Sequence, residues 1–255
     1  VRKRKIGGDG TGSGMVPGSG MRPMLGIESS TATGSVAVGD QSGTLAELVL
    51  HVGAGHSSAL LPAAHEALRI AGLTPRDLSA VVIGGGPGSF TGLRIAAATA
   101  KGMLQALDIP LFAYSGLFAA AAAHWSAPGP VWGVFDARRR DVFAACYTFA
   151  EVPRVLVPPI ALTVDELIDR ARADGRPAVF VGEGALRHRD ELEEMTGGRV
   201  APEHLSMPRA SALLWLARQV SDLGEVANVT TWEPDYVRAA GVERIAAARA
   251  AAAEA

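Results

Sequence analysis

The chain has 255 residues and a formal net charge of −2 at pH 7, enough length for a sizeable core in one domain or two small lobes. A near-neutral balance leaves no nucleic-acid footprint in the total. A single cysteine, Cys146, excludes an internal disulfide and fits a reducing compartment.

Residues 1–20 read as a disordered, basic, glycine-rich extension. Seven of the twenty are glycine, and Arg2, Lys3, Arg4 and Lys5 stand against Asp9 alone. Such a segment cannot bury enough apolar surface to offset its ordering entropy. It carries +3, which leaves −5 for the rest, and Met21 and Met24 are candidate natural starts. Met24-Leu25-Gly26-Ile27-Glu28 is a buried-strand pattern. Ser29 to Gly34 is a polar turn, Ser35 to Gly39 returns, and Leu45 to Val52 is a third strand. His56 to Ile70 reads as an amphipathic helix with Leu60, Leu61, Ala64 and Leu68 at helical spacing, ended by Gly72. Val81-Val82-Ile83 enters the turn Gly84-Gly85-Gly86-Pro87-Gly88-Ser89, and an alanine- and glycine-rich helix, Phe90 to Leu107, leaves it. Pro110 to Ala113 is a strand and Ser115 to His124 a helix.

The second half repeats the opening. Val131 to Asp136 is a strand ending in a carboxylate, Ala137 to Asp141 a turn, and Val142 to Tyr147 the returning strand. Helices follow from a capping box at Thr163 and Glu166, near Ala185 to Met195, and from Ser211 to Leu223, with a strand at Ala178 to Gly182. The halves meet at Pro128-Gly129-Pro130, which divides the chain into an α/β lobe over 21–127, a second over 128–240 and an alanine-rich tail over 241–255. The longest apolar run, around Leu117 to Ala123, falls far short of the ~20 residues a membrane span needs. No apolar region follows the basic start as a secretory signal requires, so a cytoplasmic protein is expected.

Four blocks carry a resemblance: Gly26-Ile27-Glu28-Ser29-Ser30-Thr31, Gly85-Gly86-Pro87-Gly88-Ser89-Phe90-Thr91-Gly92-Leu93-Arg94, Asp136-Ala137-Arg138 and Glu233-Pro234-Asp235-Tyr236-Val237-Arg238. In their order and spacing over residues 24–240 the chain resembles the TsaB (YeaZ) family. The resemblance implies an α/β, two-lobed, actin-like and Hsp70-like ATPase fold with duplicated hairpin-led halves. It implies a non-catalytic scaffold in the formation of N6-threonylcarbamoyladenosine at position 37 of tRNAs reading ANN codons. The implied partners are a TsaD-like catalytic paralogue and a TsaE-like ATPase, with a homodimer when alone and tRNA contacted indirectly.

The residues test that implication. A TsaD-like transferase needs a metal-binding histidine pair at helical spacing after the glycine-rich segment. Pro110 to His124 holds only His124, so no metal site is expected. In actin-like ATPases the first hairpin offers an acidic residue followed by Gly-Thr. Here it is Glu28-Ser29-Ser30-Thr31, and the second hairpin, Asp136-Ala137-Arg138, lacks the glycine too. Ser29, Ser30, Thr31 and Asp136 are therefore the remnants of phosphate turns, with weak ATP or ADP binding at most. The competing reading is an ATP-dependent transferase or kinase of the same superfamily. Ser89 lacks the flanking pattern of a nucleophile elbow. Cys146, in a strand-like run, reads as core, and Arg138-Arg139-Arg140 as solvated turn charges. Small apolar stripes on two helices, Ala59, Ala63, Ala67 and Ile70 on the first and Gly92, Ile95, Ala96, Thr99 and Met103 on the second, are the candidate dimer interface.

Overall fold

The computed structural model describes residues 22–51 and 56–237. The extension expected at 1–20 and the tail expected at 241–255 lie outside the described residues. Strands β1 (Met24–Glu28), β2 (Thr33–Asp40) and β3 (Gly43–His51) lead into helix α1 (His56–Ile70), strand β4 (Ala80–Gly84), helix α2 (Phe90–Leu107), strand β5 (Leu111–Tyr114) and helix α3 (Gly116–Ala122). The second half brings β6 (Val131–Asp136), β7 (Asp141–Thr148), β8 (Arg154–Thr163), α4 (Val164–Asp174), β9 (Val179–Val181), α5 (Glu183–Arg187), α6 (Arg189–Thr196), β10 (Arg199–Val200) and α7 (Ala210–Gln219).

The two halves share one topology. The first sheet runs β3-β2-β1-β4-β5, and the second, read from β8, runs β8-β7-β6-β9-β10. In each, a three-stranded antiparallel meander is extended by two parallel strands. This is the duplicated, hairpin-led α/β architecture that the sequence predicts. β1 and β4 are buried at every position because helices cover both faces, which is why they read as continuous apolar runs. Ile27 and Ile83 face α1 and α2, whereas Ala37 and Val82 face α3 and α7.

The layers cross the boundary drawn at residue 128. α3 packs on β6 and β7 of the second sheet, while α7 packs on β1, β2 and β4 of the first. The N-terminus of α7 is held by first-half side chains: Ala210 N–H donates to Ser35 Oγ at 2.8 Å and Ser211 N–H to Glu47 Oε1 at 3.1 Å. Beyond α7 the chain lies along β5, with Ala113 N–H donating to the Gly224 carbonyl at 2.8 Å, and reaches the glycine-rich turn. Division at 21–127 and 128–240 is thus corrected: residues from about 210 to 237 belong with the first sheet. Linear order misled because a helix is assigned by what it covers, not by its neighbours in sequence.

β8 carries Pro158 and Pro159, which hid it from a strand reading. It is an edge strand, where proline is tolerated. The helix expected at 185–195 is two helices meeting at His188, and that expected to Leu223 ends at Gln219 with a 3₁₀ turn beyond.

Candidate functional site

The glycine-rich turn is occupied by this chain's own atoms. Beneath it lies the first hairpin turn, where Glu28, Ser29, Ser30 and Thr31 are all buried. The Glu28 side chain lies across β4, so a Cβ at Gly84 would collide with its carboxyl. Gly88, at φ +155°, lets the loop descend onto the Ser30 carbonyl, which accepts from Ser89 N–H at 2.7 Å. Above the turn, residues 232–237 form a strap, with Asp235 N–H donating to the Gly85 carbonyl at 2.7 Å and Trp232 against Gly85. Two glycine functions that suit a phosphate, close approach and positive φ, here serve the packing of one chain segment on another.

Glu28 is a polar group inside this stack. Its Oε1 accepts from Ser30 N–H at 2.6 Å and from the Ser30 hydroxyl, while Oε2 has no hydrogen-bond partner among the described residues. Burial pushes the carboxyl above its ordinary range, against the pull of the Ser30 hydrogen bonds. Ser29 donates through its hydroxyl to the Gly92 carbonyl at 2.9 Å. Ser29, Ser30 and Thr31, the expected remnants of a phosphate turn, are all buried.

The fourth expected residue, Asp136, lies on the second hairpin turn and is engaged. Arg187 pairs with its Oδ2 at 2.7 Å and Arg138 N–H donates to Oδ1 at 3.0 Å. Glu183, at the start of α5, is mostly buried beside it. Desolvation and the Asp136 charge push its carboxyl up to about 7. Of the turn arginines, Arg140 pairs with Asp165 and Glu191. Arg138 and Arg139 are exposed at positive φ.

The helical stripe divides. Ala63, Ala67 and Ala96 are buried in the chain's own core with Leu25, Ile27 and Val81, and Gly92 is pressed on the Ser29 carbonyl. For these four the interface expectation is corrected. Ala59, Ile95, Thr99 and Met103 are half-buried and Ile70 is exposed. The open face lies further round each helix. Leu61 and His65 of α1 and Ala98, Thr99, Gly102 and Met103 of α2 line a shallow apolar groove of about 370 Å³. Sequence periodicity found the apolar stripes but could not say how much of each the sheet takes.

The N-terminal end of α2 holds a contact the sequence did not reveal. Phe90 and Tyr236, from two separate motif blocks, meet in a tilted contact with ring centroids 5.1 Å apart, and the Arg94 guanidinium lies 4.6 Å over the Phe90 ring. Ser89 is the N-cap of α2, its hydroxyl accepting from Gly92 N–H at 3.2 Å. Cys146 is buried, its thiol pushed up to about 12 by burial, the opposite of an activated nucleophile. Among the described residues no three His, Cys, Asp or Glu gather as metal ligands would, and no helix is long and apolar enough to cross a membrane.

Comparison with known proteins agrees with this architecture. A family model described as TsaD, tRNA N6-adenosine threonylcarbamoyltransferase, matches residues 51–245. The chain is 31% identical to the tRNA threonylcarbamoyladenosine biosynthesis protein TsaB of Bacillus subtilis, over 86% of this chain and 96% of that one. It is 29% identical to TsaB of Escherichia coli, over 84% and 94%. The solved structure of YeaZ from Pseudomonas aeruginosa superposes with a TM-score of 0.70 at 26% identity, over 85% of this chain and all of that one.

Proposed function

Since the chain belongs to the TsaB (YeaZ) family, we propose that it is a non-catalytic subunit in N6-threonylcarbamoyladenosine formation on tRNA. TsaB-named relatives support a role in that biosynthesis. One observation carries the non-catalytic part. The first hairpin turn, where a phosphate-binding relative needs open backbone and hydroxyls, is buried at Ser29, Ser30 and Thr31 beneath the glycine-rich loop. A site whose donors are already satisfied internally has little to offer an incoming phosphate.

In this reading the chain supports a TsaD-like catalytic paralogue in the cytoplasm, with a TsaE-like ATPase as further partner and tRNA contacted indirectly. The apolar groove between α1 and α2 is the face that meets the paralogue or, when the chain is alone, a second copy. Burying such a groove against a like pair of helices suits a two-fold or pseudo-two-fold contact.

The test is a reconstituted reaction that measures threonylcarbamoyladenosine on tRNA. Product is expected with all subunits, none with this chain alone, and a severe loss when it is omitted. Product from this chain alone would establish it as an enzyme, and undiminished product on omission would remove the reading. Calorimetric titration with ATP is expected to show no micromolar affinity for the isolated chain.

A further inference from the structure

Where α3 and α7 pack together between the two sheets, a line of aromatic rings runs outward. Tyr147 of β7 stacks on Phe118 of α3 with ring centroids 4.3 Å apart, Phe118 meets Phe149 at 6.0 Å, and Phe149 meets Trp215 of α7 at 6.2 Å. Tyr147, Phe118 and Phe149 are buried and Trp215 is half-buried. At its outer end the line opens into a pocket of about 310 Å³. Its walls are Phe149, Trp215 and Trp125, with Glu151 and Pro153 from the connection between β7 and β8 and Gln219 one turn along α7 from Trp215. Trp125 is 62% exposed, more than any other large apolar side chain among the described residues. None of these side chains belongs to the groove between α1 and α2 or to the phosphate turns.

The lining says what the pocket takes. Aromatic faces are electronegative, so three rings around one space favour a cation. The charge agrees. Glu151 is the one charged side chain in the lining, and among the described residues it has no ion-pair or hydrogen-bond partner. Arg154, the nearest cation in sequence, is exposed and stands outside the lining. A purely apolar occupant would cover Glu151 and the Gln219 amide and give them no partner. An RNA base would stack on the rings, but its phosphates would meet a carboxylate where they need cations. The volume is at the lower end for ligand sites and suits one long side chain. A guanidinium stacks flat on an aromatic ring while its edge donates to a carboxylate, which an ammonium cannot do in one position. Val152, 48% exposed between Glu151 and Pro153, leaves apolar surface beside the mouth for the neighbours of that side chain.

We propose that this pocket receives an arginine side chain from a segment of a partner protein. The guanidinium stacks on the indoles of Trp125 and Trp215 and donates to the Glu151 carboxylate. The contact is separate from the α1/α2 groove and does not depend on it.

The test titrates the full chain with a capped Gly-Arg-Gly peptide and follows the indole N–H signals of its four tryptophans by nuclear magnetic resonance. The signals of Trp125 and Trp215 are expected to move, with a Kd on the order of 1 mM or tighter, while those of Trp132 and Trp232 stay. The same peptide with citrulline, the neutral isostere of arginine, should bind about fivefold or more weakly, and Glu151→Gln should weaken the arginine peptide by as much. Trp125→Ala should remove the binding. Both side chains are exposed, so thermal melting of the two variants should match the wild type. Unmoved Trp125 and Trp215 signals with the arginine peptide overturn the proposal. Equal binding of the citrulline peptide also overturns it, by making the pocket a site for neutral groups. So does movement of the two signals with an oligouridylate and not with the peptide, which would make the rings an RNA-stacking surface.

Discussion

At the residue scale two carboxylates pushed above their ordinary range, Glu183 and Glu28, are the informative groups. Glu183 sits beside Asp136 with its carboxyl raised from 4.5 to about 7, mainly by desolvation. A raised folded-state value means that the stability it contributes is full below about 4.5 and is lost as pH rises through about 7. Glu183→Gln should flatten that dependence and be about 2 kcal/mol more stable than wild type at pH 8, after allowing for partial exposure. Thermal melts from pH 4 to 8 check the sign. Glu28 is raised in the same direction by complete burial and is held against Gly84 by its own strand geometry. Gly84→Ala has no room for its methyl group, and overpacking of this kind should cost about 3 kcal/mol by chemical denaturation. Glu28 was visible in the sequence as a carboxylate closing an apolar strand. That its side chain turns inward over a neighbouring strand was not, because period-2 alternation says nothing of which strand lies alongside.

At the scale of elements, α2 has two sides with different consequences. Ala96 faces the sheet and is fully buried, so Ala96→Glu should unfold the chain: an unpaired buried charge costs several kcal/mol. Gly102 faces outward, and a side chain there meets open space. Gly102→Arg should leave the melting temperature within about 2 °C of wild type, or raise it slightly by helix propensity. It should also abolish self-association or pairing with the paralogue through the groove. Circular dichroism with light scattering separates the two outcomes. Were Gly102→Arg to associate as wild type does, the groove would not be the contact face. The sequence located α1 and α2 to within a residue, since Gly72 closes the first and the glycine-rich turn to Ser89 opens the second. It placed the interface on Ala63, Ala67, Gly92 and Ala96 because small residues suit a partner helix and a nearby strand equally well.

The whole molecule is more interlocked than two lobes joined at a hinge. α3 leaves the first half to pack on β6 and β7, and α7 returns from the second half to pack on β1, β2 and β4. Their side chains join both sheets in one apolar cluster, with Leu117 and Phe118 beside Leu213 and Leu214. Unfolding should therefore be a single transition, with tryptophan fluorescence and circular dichroism coincident. Fragments 22–127 and 128–237 should each fail to fold alone, since each lacks the helix that covers one face of its sheet. Two resolved transitions, or a folded fragment, would show that the halves are separable.

The sequence by itself determined the family, the duplicated α/β halves and most element boundaries, because these depend on local signals: glycine turns, caps, and apolar periodicity of 2 or 3.6. Only the tertiary structure decided where α3 and α7 belong, which helix faces stay open, and that the apparent phosphate turn is filled by the chain itself. The physical reason is the same in each case. Burial is a property of what lies opposite a residue, and what lies opposite is brought there by residues outside the local window, as Ser89 is to Ser30 and Ala210 to Ser35.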